Sequence, residues 1–223
     1  MAPVIDWQRV DTVLLDMDGT LLDLHFDNHF WLEHVPRRYA EARSIDPARA
    51  KAELQRRYRD IQGTLDWYCV DHWSRELGLD IALLKEEVDH LIRVHPDVVD
   101  FLDRLALTGR QRVLVTKAHQ KSQAVKMRRT RLGERLDRIV CAHDLGVPKE
   151  DGRFWDRLQA VSPFDPARTL FVDDSPAVLR SARTYGISQL LAILLPDTRQ
   201  ALRAVEEFPG VEGFAALLPG LEG

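Results

Sequence analysis

Short apolar runs punctuate the chain at 12–15, 112–115, 139–141, 169–172 and 190–194. A strand covered on both faces has no solvent side for polar residues, so uninterrupted runs of this kind predict the buried strands of a parallel sheet. Helical patterns fill the later intervals at 97–107, 120–132, 150–161 and 176–185. Gly109, Gly133 and Gly186 stand where three of these helices should stop. Strand alternating with helix predicts an α/β fold, a Rossmann-like parallel sheet joined by right-handed crossovers.

The interval between the first and second strands is too long for one crossover helix. From 24 to 93 the pattern is helical throughout, with candidate helices at 37–43, 47–59, 67–77 and 81–92 and nothing that reads as a strand. Asp46-Pro47 offers a capping side chain ahead of a proline at the first helical position, and Gly63 and Gly78 punctuate neighbouring segments. The expected organisation is an α/β core made of 1–23 and 94–223, with an all-helical cap at 24–93. Because the cap leaves the core just after the first strand, it is placed to close over whatever that strand end carries.

Composition narrows the classes of function. The 223 residues are 45% hydrophobic, enough to fill a real core, which sets disorder aside. A formal net charge of −4 argues against a protein held to nucleic acid by phosphate attraction, while a small anionic substrate needs only a few placed cations. Cys69 and Cys141 lack the spacing of a zinc or redox motif and suit buried packing in a reducing compartment. The segment MAPVIDWQRVD has acids where a secretory signal needs a basic flank, and no later run approaches the length of a membrane span, so a cytoplasmic location is expected. No repeat or low-complexity tract is visible.

Chemistry gathers at the strand ends. The first run leads into Asp16 and Asp18 of 16-DMDGT-20, the second into Thr116, the third through a loop to Lys149, and the fourth into Asp173 and Asp174. Each has a plain structural reading: Asp18-Gly19 as a turn, Asp173-Asp174-Ser175 as a helix cap, Lys149 as a surface lysine, Thr116 as a strand-end hydroxyl. In an open parallel sheet, however, such ends face one crevice. Carboxylates converging there repel, and burial drives them toward protonation unless a cation neutralises them. A divalent metal is therefore implied, and a hard all-oxygen donor set with room for water and phosphate favours magnesium over zinc or calcium. A metal and Lys149 together would let a carboxylate attack a phosphate despite its charge.

In this order and strand context, 16-DMDGT-20, Thr116, Lys149 and Asp173-Asp174 resemble the four motifs of the haloacid dehalogenase (HAD) superfamily, with the helical insertion where that superfamily places its type 1 cap. The longer strings 7-WQRVDTVLLDMDGTLLDL-24, 66-DWYCVDHW-73 and 147-VPKEDGRFW-155 further resemble its bacterial GMP/IMP nucleotidases. The resemblance implies a phosphomonoester hydrolase in which Asp16 is the nucleophile, forming an aspartyl phosphate, and Asp18 the general acid and base. It implies that Thr116 binds a phosphate oxygen and Lys149 offsets charge. Magnesium would be held by Asp16, the backbone carbonyl of Asp18 and Asp174, with Asp173 ligating directly or through water. The substrate implied is a small phosphorylated metabolite, a purine nucleoside monophosphate, with no nucleic acid or membrane as partner. A dehalogenase would need no acid at Asp18. A sugar-phosphate phosphatase, a phosphomutase or a binding protein on this scaffold stay as alternatives. Many relatives carry Asn where this chain has Lys117, for which a backbone role is expected.

Other signals carry less. His25 and His29 have helical spacing without the glutamate of a zincin, and His119 and His143, near the crevice, read as structural. The basic stretch 126-KMRRTR-131 reads as a solvated helix face. Trp31, Trp67, Tyr68 and Trp73 all fall in the insertion, where packing competes with stacking on a base.

Overall fold

A computed structural model of the protein describes residues 5–221. The ends of the expected core segments, and the first four residues of the stretch read for a signal, lie outside them. Strands β1 Thr12–Leu15, β2 Gln111–Thr116, β3 Arg138–Cys141, β4 Thr169–Asp173, β5 Gln189–Ile193 and β6 Gly210–Val211 form one sheet in the order β3-β2-β1-β4-β5-β6. Every neighbouring pair is parallel. The first five strands fall on the five apolar runs. β6, two residues long, has no run to announce it.

Alternate residues of each strand enter opposite cores, as the pleat requires. Val13, Leu15, Leu114, Leu170 and Val172 belong to one apolar cluster, and Leu14, Val113, Val115 and Phe171 to the other. The helices between strands are α7 Val98–Leu107, α8 Gln120–Thr130, α9 Ala142–Leu145, α10 Arg153–Val161 and α11 Pro176–Tyr185, preceded by six in the insertion. Helix α7 covers the first face through Phe101 and Leu105, whereas α10 and α11 cover the second through Phe154, Trp155, Val178 and Leu179. Gly109 and Gly186 take the positive φ expected after α7 and α11. Helix α8 is stopped differently: Arg131, at φ 58°, is its left-handed cap, and Gly133 sits two residues later within a 3-10 segment.

Between β1 and β2 lie α1 His25–His29, α2 Val35–Arg43, α3 Pro47–Asp60, α4 Leu65–Tyr68, α5 Val70–Leu77 and α6 Ile81–Glu87, with no strand among described residues 24–93. A π-helical turn, Phe30–His34, joins α1 to α2. Asp46 caps α3 by accepting from the Arg49 amide at 2.9 Å, with Pro47 at the first helical position. The helix expected at 67–77 is broken at Cys69, whose extended backbone ends α4 and whose sulfur accepts from the His72 amide at the start of α5. Phe26, Phe30, Leu54, Trp73 and Leu84 of these helices share the cluster of the first sheet face. The chain's two passages into and out of the insertion are bonded together, by Asp23 N–H to the Arg93 carbonyl at 3.0 Å and by His95 N–H to the Leu21 carbonyl at 3.0 Å.

Candidate active site

Strand register brings the acids together. Leu15 pairs with Val172, so Asp16 and Asp173 emerge side by side from β1 and β4, and the Asp16 amide extends the ladder to the Val172 carbonyl at 3.0 Å. Thr116 ends β2 on the other flank of β1, and its hydroxyl accepts from the Ala118 amide at 3.0 Å. Lys149, fully buried, reaches in from the loop before α10. Its ammonium donates to Asp16 Oδ1 at 2.5 Å, Asp173 Oδ2 at 2.6 Å and the Val115 carbonyl at 3.1 Å. Carboxylate oxygens of Asp16, Asp173 and Asp174 lie within 4.8 Å of one another. Asp173 also accepts from the Ser175 amide at 2.8 Å, so it steadies the turn into α11 as well.

Gly19 makes this crowding possible. Its φ of +84° suits glycine, and a Cβ there would lie 2.9 Å from the carboxyl carbon of Asp174. Arg203, a residue that sequence reasoning passed over, reaches Asp174 from the strap after β5, Nη1 to Oδ2 at 3.0 Å. Asp16, Asp18, Thr116, Asp173, Asp174 and Arg203, with Lys117 and the insertion residues Gln62, Trp67 and Tyr68, line a cavity of about 410 Å³. Lys117 also lines this cavity, and its ammonium donates to Glu150 at 2.5 Å and sits 4.7 Å over the Tyr68 ring.

The electrostatics are those of a site short of positive charge. Burial pushes the Asp16 carboxyl up to about 8, with Asp173 and Asp174 adding to the rise and Lys149 opposing it. Burial and Asp173 push Asp174 up to about 6 against the pull of Arg203. Burial opposes the charge on Lys149, but its two carboxylate partners prevail and hold it above the usual lysine range. Three carboxylates of hard oxygen, crowded around one ammonium, form a donor set that fits a divalent cation.

Asp18 faces the other way. Its Oδ1 accepts from Lys126 at 2.7 Å, Lys126 also bonds Asp27 Oδ2 at 2.5 Å, and Asp27 Oδ1 accepts from Lys85 at 3.1 Å. Lys85 in turn lies 4.1 Å over the Phe30 ring. Lys126 is 1% exposed, which overturns its reading as part of a solvated basic face; Arg128 of the same stretch does face solvent. The signal was in the helical phase: Ser122, Val125 and Lys126 share the buried side of α8. Burial pushes Asp18 up while Lys126 opposes it. Burial also raises Asp27, yet its two lysines outweigh that and hold it down at about 2.

The remaining candidates find structural partners. The imidazole of His119 accepts from the Lys121 amide at 3.3 Å, at the start of α8, and His143 Nε2 lies 3.1 Å from the Leu65 carbonyl. His25 approaches Asp197 at 3.9 Å, and its ring lies 6.1 Å from that of His29 at a tilt of 41°. Cys69 and Cys141 are free thiols.

A parallel α/β sheet that gathers two β1 acids, a β2 hydroxyl, a buried lysine and a β4 acid pair at one edge, beneath a helical insertion, defines a class of hydrolase. The chain belongs to it: residues 10–186 match the family model of the haloacid dehalogenase-like hydrolases. It is 42% identical over 217 residues to the GMP/IMP nucleotidase YrfG of Escherichia coli strain K12, covering 97% of this chain and 98% of the relative. The protein of the same name from Shigella flexneri matches to the same degree. Among solved structures, a HAD phosphatase from Thermococcus onnurineus superposes with a TM-score of 0.79 at 22% identity, covering 96% of this chain and 99% of that one. An L-2-haloacid dehalogenase from Xanthobacter autotrophicus gives 0.62 at 16%, covering 96% and 99%. At these identities the structural matches establish the fold and do not choose between phosphate and halide chemistry. No described helix is long and apolar enough to cross a membrane.

Proposed function

We propose that the protein is a magnesium-dependent phosphomonoester hydrolase of purine nucleoside 5′-monophosphates, GMP and IMP foremost, with 24–93 acting as a cap. The observation that carries the reading is the position of Asp18. It borders both the 410 Å³ cavity of Asp16, Thr116 and Asp174 and a second, mostly apolar cavity of about 200 Å³ lined by Trp31, Tyr58, Trp67 and Tyr68. An acid at that boundary stands where the bond between phosphate and nucleoside would lie. The nucleotidase relative at 42% identity supports the same substrate class.

In this mechanism a carboxylate oxygen of Asp16 attacks phosphorus, and the bond from phosphorus to the 5′ oxygen breaks as the Asp18 carboxyl delivers a proton to that oxygen. Asp18, now a carboxylate, takes a proton from water as the water attacks the aspartyl phosphate, releasing phosphate and restoring Asp16. Thr116 donates to a phosphate oxygen, and Lys149 holds Asp16 in place while countering charge on the transferred group. Asp16, Asp174, the Asp18 carbonyl and Asp173, directly or through water, would hold magnesium, whose charge offsets that of nucleophile and phosphate. Burial that raises the Asp18 carboxyl suits it to carry the first proton.

A panel of GMP, IMP, AMP, CMP, ribose 5-phosphate and an aryl phosphate, assayed with magnesium and with chelator, tests the reading. Magnesium-dependent hydrolysis with GMP and IMP leading in kcat/KM is expected. Equal rates on nucleotides and sugar phosphates would remove the nucleotidase assignment, and a halide-releasing activity in place of phosphate release would remove the phosphatase one.

A further inference from the structure

The cations that border the 410 Å³ cavity differ in what they have left to give. An ammonium carries three N–H donors. Lys149 commits all three, to Asp16 at 2.5 Å, Asp173 at 2.6 Å and the Val115 carbonyl at 3.1 Å, so it brings charge to a phosphate without a free hydrogen bond. Arg203 is paired with Asp174 at 3.0 Å, and its side chain is 46% exposed, where solvent weakens its charge. Lys117 is placed otherwise. It follows Thr116 in the chain, lines the cavity, and has a side chain only 12% exposed. One N–H goes to Glu150 at 2.5 Å, and the ammonium lies 4.7 Å over the ring of Tyr68, which lines the same cavity. Even with the Tyr68 hydroxyl counted as a second partner, a donor remains over. The charge is also felt among the acids: burial and Asp173 push the Asp174 carboxyl up, while Arg203, Lys149 and Lys117 pull it down.

We infer that the Lys117 ammonium is a substrate-binding group that donates to an oxygen of the substrate's phosphate, and that Tyr68 of the insertion is its positioning residue. This rests on the phosphatase reading and adds to it a contact indifferent to what the phosphate carries. Glu150, in the loop before α10, holds the ammonium from the core, and Tyr68, the last residue of α4, holds it from the insertion. An aromatic face steadies a cation without using up an N–H, which leaves that donor for the phosphate. The insertion therefore helps to grip the phosphate as well as to choose its substituent. A hydrogen bond made equally in substrate and transition state lowers KM and leaves kcat alone.

The test is Lys117→Met, which removes the charge and keeps much of the length. KM for GMP, ribose 5-phosphate and the aryl phosphate should rise together by about 10- to 100-fold, the effect of one charge-assisted hydrogen bond, with kcat nearly unchanged. The Ki of inorganic phosphate should rise by the same factor, a readout that a merely structural lysine would not move. Lys117→Arg should recover most of the affinity, and adding Glu150→Gln to Lys117→Met spares an unpaired acid if folding suffers. Tyr68→Leu, which removes the ring, should raise the Ki of inorganic phosphate about 2- to 5-fold. A wild-type Ki for phosphate in Lys117→Met, a rise in KM confined to nucleotides, or a Lys117→Arg variant as weak as Lys117→Met would each overturn the assignment, and a wild-type Ki in Tyr68→Leu would remove Tyr68 from it. If the wild-type protein hydrolyses none of these esters, it is the phosphatase reading that falls.

Discussion

At the scale of single residues, the site divides its charges between two lysines with different work. Lys149 holds Asp16 and Asp173, while Lys126 holds Asp18 and Asp27. Under the proposed mechanism, replacing Asp16 by Asn removes the attacking oxygen, which the neighbouring Asp173 on the same lysine should not replace, so phosphatase kcat should drop by at least about 10⁴-fold in a folded protein. Turnover at the wild-type rate, with deamidation excluded by mass spectrometry, would show that another group attacks. Lys126→Met strips the shared cation from two buried carboxylates, a change that destabilises by about 3–5 kcal/mol where a buried pair loses one partner. Urea denaturation would measure it, and a midpoint equal to wild type would mean the pair is solvated.

At the scale of elements, the turn after β1 does most of the positioning. The Asp16 amide extends the sheet's ladder to the Val172 carbonyl at 3.0 Å, and the turn then closes on itself, the Gly19 amide donating to the Leu22 carbonyl at 2.7 Å. The turn admits Asp174 only because Gly19 has no side chain. Gly19→Ala combines a left-handed backbone with a Cβ 2.9 Å from Asp174, and should cost about 1–3 kcal/mol. It should also displace Asp174, so the gain in melting temperature on adding magnesium should shrink along with stability. A variant with the full magnesium response would place the metal away from Asp174. Further along, the strap after β5 turns back over the insertion's entry: Asn28 donates to Asp197 at 2.7 Å and Leu24 to the Pro196 carbonyl at 2.8 Å. Core and insertion are thereby joined beside the site.

At the scale of the molecule, the clustered acids link stability to pH and, under the proposed function, to metal. Asp16 is raised to about 8 and Asp174 to about 6, both above the ordinary carboxyl value. These two acids therefore hold more protons in the folded than in the unfolded state between about pH 4 and 8, and their contribution to the stability of the metal-free protein falls as pH rises through that window, against the opposite contribution of buried histidines such as His95 and His143, whose ring burial lowers their pKa. A cation bound to the same carboxylates displaces those protons, so the rise in melting temperature produced by magnesium should be small near pH 5.5 and large near pH 8.5. Thermal scans with and without magnesium at both pH values check this. A magnesium effect independent of pH would separate the metal from these acids.

What the chain determined by itself was what depends on local pattern. Five strands could be read because uninterrupted apolar runs such as Val13-Leu14-Leu15 permit little else, and the motif acids could be read because each stands at the end of such a run. β6 could not, since two residues carry no period and pair only because β5 offers an open edge. The break at Cys69 and the cap at Arg131 were likewise hidden, because backbone turns at non-glycine residues are chosen by what the flanking helices pack against. The pairing of Lys126 with Asp18, 108 positions apart, and of Arg203 with Asp174 belongs wholly to the tertiary structure. A sequence states which charges and rings are present; which of them end buried together follows from how helices of the insertion and the core meet, and that is settled only when the sheet, its register and its covering layers are all in place.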